Sequence, residues 1–179
     1  FDGDVMAGRF KMSGKDCEFS YEQFALNLPS IDSLNFYVPM YDDSTKLVML
    51  QTPIQQLNCN LLIDEPNNKS SLKKIEGYPI MSSTGNSYVY YDSPKIQGGV
   101  YNRERFYYKL DSFQVKNLFS FKTDSVIFSG VFVSDGIFEE INQPLVVMKD
   151  YSLGFKMETP STGLSAYGGK GQYYNSIDL

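Results

Sequence analysis

Apolar and polar residues alternate with a period of two along most of the chain, and no apolar i, i+3, i+4, i+7 pattern persists beyond three turns. Successive side chains of a strand point to opposite faces, so this pattern predicts strands almost throughout. Met6, Gly8, Phe10 and Met12 share one side of a first strand, and Cys17, Phe19 and Tyr21 one side of a second. Phe24, Leu26 and Leu28 resume the alternation one residue out of step, as a β-bulge near Glu22 would cause. A short helix competes with this reading: Ser20 and Gln23 have capping-box spacing, and Tyr21, Phe24, Ala25 and Leu28 could share a helical face. Leu34, Phe36 and Val38 mark the next strand, which Pro39 ends because it has no N–H for the ladder. Asp42, Asp43 and Ser44 read as a turn. Leu57, Cys59, Leu61 and Ile63 then alternate against Asn58, Asn60 and Leu62, which predicts a strand with one buried face, broken by Pro66.

Residues 67–86 are rich in Asn, Lys, Ser and Gly and read as a polar connecting loop. It separates an N-terminal β segment, 1–66, from a C-terminal β segment, 87–179, the two forming one continuous domain or a fragment of a larger chain. In the second half, residues 88–91, 99–101, 106–110, 113–115, 145–148, 153–157 and 172–175 read as short strands. Residues 125–133 are the most apolar run and predict a central strand covered on both sides. An Asp-Ser pair precedes apolar alternation at Asp32-Ser33, Asp111-Ser112 and Asp124-Ser125, and a glycine precedes an aromatic residue at Gly8, Gly99, Gly130 and Gly171. The spacings are irregular and establish no repeat of fixed period. The fold class expected is all-β, with antiparallel β-sandwich-like packing, a stacked β-solenoid or β-groove being the alternative.

The 179 residues are 42% hydrophobic, enough to bury a core and well outside the composition of disordered chains. A net charge of −5 with scattered Lys and Arg argues against a nucleic-acid partner. The densest basic group, Lys69, Lys73 and Lys74, falls in the polar loop. No apolar run reaches the roughly 18 residues of a transmembrane helix. Phe1 opens directly into a strand-like pattern, as expected of a mature product or an internal piece of a longer protein.

The chain has no His, which removes Ser-His and Cys-His nucleophile pairs and histidine-based metal sites. Two cysteines, Cys17 and Cys59, are too few for a zinc cage. They read either as one disulfide, worth about 4 kcal/mol for the loop it would close, or as two buried free thiols. Adjacent carboxylates at Asp42-Asp43, Asp64-Glu65 and Glu139-Glu140 read as solvated turn charges, since neighbours in a strand face opposite ways. Gly168, Gly169 and Gly171 around Lys170 lack the spacing of a phosphate loop and read as a turn. No cofactor, metal or catalytic residue is expected. The candidate binding surface is aromatic: Tyr88, Tyr90, Tyr101, Tyr107 and Tyr108 could present rings to a protein or a glycan, or simply pair across strands.

Five phrases carry a resemblance: Ser87-Tyr88-Val89-Tyr90-Tyr91-Asp92, Ile96-Gln97-Gly98-Gly99-Val100-Tyr101, the run from Phe128 to Phe138, Asp150-Tyr151-Ser152-Leu153-Gly154-Phe155, and Tyr167-Gly168-Gly169-Lys170-Gly171. Together they resemble segments of very large uncharacterised proteins of Bacteroidota. The resemblance implies an exported, extracytoplasmic protein of the periplasm, outer membrane or cell surface, of which this chain is an internal β-rich piece. The lack of His, metal or nucleophile constellations together with strand patterning throughout adds the expectation of a non-enzymatic structural or binding module within that larger parent chain. Asp32-Ser33-Leu34, Asp43-Ser44-Thr45 and Asp124-Ser125-Val126 look like O-glycosylation acceptors of that phylum. Residues 110–117 look like repeats of the AsmA and TamB envelope proteins, which implies a lipid-handling β-groove as an alternative, lined by residues such as Ile127, Phe128 and Phe132. A carbohydrate-binding or divergent glycan-active domain is the third reading.

Overall fold

The computed structural model describes residues 1–179 and is built from eighteen strands with only two short 3-10 turns between them. In chain order the strands are β1 (Gly3–Ala7), β2 (Phe10–Lys15), β3 (Glu18–Ser20), β4 (Ala25–Pro39), β5 (Leu47–Met49) and β6 (Ile54–Leu62). There follow β7 (Ile80–Ser83), β8 (Ser87–Tyr90), β9 (Phe106–Leu110), β10 (Gln114–Lys116), β11 (Ile127–Phe128) and β12 (Gly130–Ser134). The last six are β13 (Leu145–Val147), β14 (Leu153–Gly154), β15 (Lys156–Glu158), β16 (Leu164–Ala166), β17 (Gly171–Tyr173) and β18 (Ser176–Asp178).

Eleven strands form one antiparallel sheet along the path β1-β2-β4-β6-β8-β9-β12, with β3 and β5 on β4, β7 on β6 and β10 on β7. Ile54 pairs with Val89 and Gln55 with Tyr88, so the sheet runs unbroken from the first half of the chain into the second. A second sheet, β11-β13-β14, and two small ribbons, β15 with β18 and β16 with β17, complete the fold. It is all-β, with sandwich-like packing of antiparallel sheets that do not close into a barrel.

The period-two pattern places the core. On β4, Leu34, Phe36 and Val38 are buried while Asn35 and Tyr37 between them are not, and the strand ends at Pro39 as expected. Twenty-nine buried residues form a single cluster. Aromatic contacts tie its layers together: Phe36 of the main sheet stacks on Phe10 at 5.0 Å and meets Phe128 of the second sheet edge-on at 6.2 Å. Phe132 meets Phe155 at 5.5 Å.

Several expectations change. The bulge falls at Pro29–Ser30, where the β4–β6 register slips, and not near Glu22. Residues 21–24 instead form a turn, neither strand nor helix, in which Gln23 N–H donates to Ser20 Oγ at 3.3 Å. Gly8 is not in a strand: it sits in the β1–β2 hairpin turn at a φ of 59°, against the Leu118 carbonyl, while Met6 pairs with Lys11 on the face opposite Phe10 and Met12 and is 67% exposed. The stretch 67–86 is not all loop, because β7 lies within it and pairs with both β6 and β10. Its short polar strand carries one deeply buried anchor, Met81.

The run 125–133 is neither continuous nor central. It leaves the second sheet at Ser129, whose carbonyl accepts from Asp111 N–H at 3.0 Å, and enters the main sheet as β12, the last strand of its path. Gly130 makes the crossing because a Cβ there would collide with the Lys109 carbonyl and the Leu110 Cα. The Asp-Ser pairs share no structural role: Asp32-Ser33 lies within β4, Asp111-Ser112 in a loop and Asp124-Ser125 in a 3-10 turn.

Cys17 and Cys59 are free buried thiols, and the bridge is not made. Continuing the β3–β4 register places Cys17 beside Leu28, and Leu28 pairs with Cys59 on its other side. Two strand spacings put the cysteines about 9–10 Å apart, beyond the reach of a disulfide. Burial pushes the Cys59 thiol up to about 12, with the neighbouring Cys17 adding to the shift.

Candidate functional site

Register, not sequence proximity, assembles the aromatic surface. Tyr90 pairs with Tyr107 across β8 and β9, Tyr88 with Lys109, and Gln55 with Tyr88 across β6 and β8. Directly paired residues share a face, so Gln55, Tyr88, Tyr90, Tyr107 and Lys109 all stand on the side of the sheet away from the core. The intervening residues confirm the division, since Val89, Tyr91, Phe106, Tyr108 and Leu110 are buried.

Three of the five tyrosines singled out from the sequence therefore come together. Tyr88 and Tyr90 stack at 5.8 Å, and Tyr107 meets them edge-on at 5.6 and 6.4 Å. The other two do not join them. Tyr108 points into the core, where its hydroxyl donates to the Gln143 carbonyl at 2.7 Å, and burial with the nearby Asp111 charge pushes it up to about 12. Tyr101 stacks on Phe106 at 3.9 Å, on the core side of β9.

Sequence reading missed the polar part of the surface. Arg103, in the loop before β9, lays its guanidinium over the Tyr90 ring at 4.2 Å. Its Nε donates to Asp92 Oδ2 at 2.8 Å and its Nη2 to Gln55 Oε1 at 3.2 Å. The guanidinium is thus fixed by a carboxylate, an amide and a ring at once, and its planar fork is oriented in advance of any contact. Burial raises the Tyr90 phenol above its ordinary value, against the opposing pull of Arg103. Locally Arg103 is only one residue of the polar run Asn102-Arg103-Glu104, and its partners are 11 and 48 residues away.

Because the rings stack on one another, the face offers ring edges, hydroxyls and a guanidinium instead of one flat aromatic platform. Ser87 Oγ is the one buried polar side-chain atom without a partner, so the three outer hydroxyls are not trapped and can bond to something outside the chain.

The remaining candidates are structural. Asp43 accepts from the Thr45 backbone and hydroxyl and pairs with Lys46 at 3.2 Å, which together lower its pKa. Asp64 Oδ2 accepts from the buried Asn68 side chain, which also donates to the Lys73 carbonyl and closes the polar loop. Lys69 lies over the Tyr21 ring at 4.1 Å. Gly168 and Gly169 form the turn of the β16–β17 hairpin. Phe128 and Phe132, each 3% exposed, belong to the buried core, whereas Ile127 is 57% exposed. No helix is long and apolar enough to cross a membrane. Comparison with protein-family models, curated proteins and solved structures finds no match to this chain.

Proposed function

We propose that the chain is a non-enzymatic binding module of a large exported or cell-envelope protein, and that the outer face around Tyr88, Tyr90, Tyr107 and Arg103 contacts another protein. One observation carries the reading: three tyrosines and a pre-oriented arginine are gathered on a rigid three-strand surface, with the hydroxyls left for a partner. Tyrosine and arginine supply large contact area and hydrogen bonds at low entropy cost, and they dominate the energetics of protein interfaces. Edge-on rings favour this over stacking against a sugar.

The test is site-specific photo-crosslinking of the full-length parent protein in its native cells, with a photoreactive phenylalanine at position 88 or 107. A discrete protein adduct is expected there and not at Tyr167, which is also exposed but stands in the β16–β17 hairpin turn, outside the main sheet. Equal labelling at all three positions would overturn the proposal, as would a glycan that shifts the NMR signals of these rings while no protein adduct forms.

A further inference from the structure

A second, separate feature lies where the layer covering the core is interrupted. β10 pairs only with β7, and β11 is the end strand of the small sheet, paired only with β13. Between them opens a cavity of about 170 Å³ lined on one side by Phe113, Val115 and their β10 neighbours, on the other by Val126, Ile127 and Phe128. Phe10 and Phe121 also line it. Its walls are mostly apolar, and its volume suits one or two aliphatic side chains, too small for a lipid tail with its headgroup.

The backbone around this opening says what can cover it. Ser83 N–H donates to the Phe113 carbonyl, so residues 113 and 115 direct their backbone groups at β7. By alternation Gln114 and Lys116 direct theirs outward. On the other rim Met148 N–H donates to the Ser152 carbonyl, which by the same alternation turns Val146 toward β14, Leu145 and Phe128 toward each other, and the Ile127 backbone outward. An apolar pocket thus lies beside the outward edge of β10, where Gln114 and Lys116 carry unpaired donors and acceptors at the spacing of a β ladder, and across from Ile127, the one residue of the two-residue strand β11 whose backbone turns outward. A lipid or a small apolar molecule would fill the pocket and leave those groups unmet; an extended peptide meets both needs at once.

We infer that this opening is a strand-addition site: it takes an extended segment of another polypeptide, backbone paired to β10 or β11, with an aliphatic side chain seated on Phe10, Phe113, Phe121 and Phe128. The site lies apart from the tyrosine face and does not depend on it.

The test uses a short acetylated peptide of alternating Thr and Ile, followed by NMR on the whole chain. Binding is expected with a dissociation constant below about 1 mM and with slowed amide exchange at Gln114, Lys116 or Ile127. Methylating alternate peptide amides, which keeps every side chain but removes the donors, should weaken binding at least tenfold. The Lys116→Pro variant should do the same, since a proline whose missing N–H faced outward is tolerated at an edge; unchanged dispersion of the NMR spectrum shows that it still folds. Ile127→Pro provides the equivalent probe on the other rim. Failure of the peptide to bind, or binding indifferent to both N-methylation and the prolines, would overturn the inference. Shifts confined to Tyr88, Tyr90 and Tyr107 would do so too, while leaving the proposed function standing.

Discussion

Replacing Phe36 by alanine is the perturbation that bears most directly on how the two layers hold together. The ring is 1% exposed and touches three others, Phe10 at 5.0 Å, Phe121 at 6.2 Å and Phe128 at 6.2 Å, the last across the layers. Truncating a buried phenylalanine removes its transfer free energy and leaves a cavity, about 3–5 kcal/mol together. Because the surrounding rings belong to separate elements, the site cannot collapse easily, and the upper half of that range is expected. Against a total stability of about 5–15 kcal/mol this is a large share. With a urea m-value of about 2–3 kcal/mol/M, the unfolding midpoint should fall by about 1.3–2.5 M at unchanged slope. Phe19, on the outer face of β3 and half exposed, is the control; Phe19→Ala should cost under about 1 kcal/mol. Equal midpoints for the two variants would refute the reasoning, because Phe36 would then not be seated between layers.

Three further outcomes are expected. Tyr108→Phe should lose about 0.5–1.5 kcal/mol, because it removes the hydroxyl that donates to the half-buried Gln143 carbonyl; a neutral result in urea titration would count against that bond. Gly130→Ala should destabilise by more than about 1 kcal/mol, since the added methyl meets the Lys109 and Leu110 backbone at the sheet crossing, whereas Gly136→Ala, with open space around it, should suffer only the backbone cost of its positive φ. The thiols should resist a disulfide reagent until the chain unfolds. Cys59 is an acid whose pKa rises from 9.0 to about 12 on folding, so its contribution is complete below pH 9 and is lost as pH climbs from there toward 12. Unfolding midpoints should therefore drop on the alkaline side of pH 9, and less steeply in Cys59→Ala.

Alternation was legible wherever a strand has one buried and one wet face. Leu34, Phe36 and Val38, or Leu57, Cys59 and Leu61, report their inward side directly, and Pro39 marks an end by simple chemistry. The sequence misled where tertiary contacts, not periodicity, decide. β7 reads as loop because its partners on β6 and β10 supply the ladder that its own polar residues do not advertise. Residues 125–133 read as one strong strand because apolarity does not reveal that Gly130 redirects the backbone from one sheet to another. At the candidate site, period two alone puts Tyr88 and Tyr90 on one face and Tyr91 on the other, as the burial of Tyr91 shows. It gave no means of pairing Tyr107 with Tyr90, or of bringing Arg103 to Gln55, since those meetings depend on inter-strand register.

Tyrosine nitration of the native protein, mapped residue by residue by mass spectrometry, tests the central claim that one sheet divides these side chains between a packed interior and an outward contact face. Tyr88, Tyr90 and Tyr107 should be modified while their chain neighbours Tyr91 and Tyr108 stay protected until the protein unfolds. Modification of Tyr91 or Tyr108 at rates matching Tyr90 and Tyr107 would contradict it.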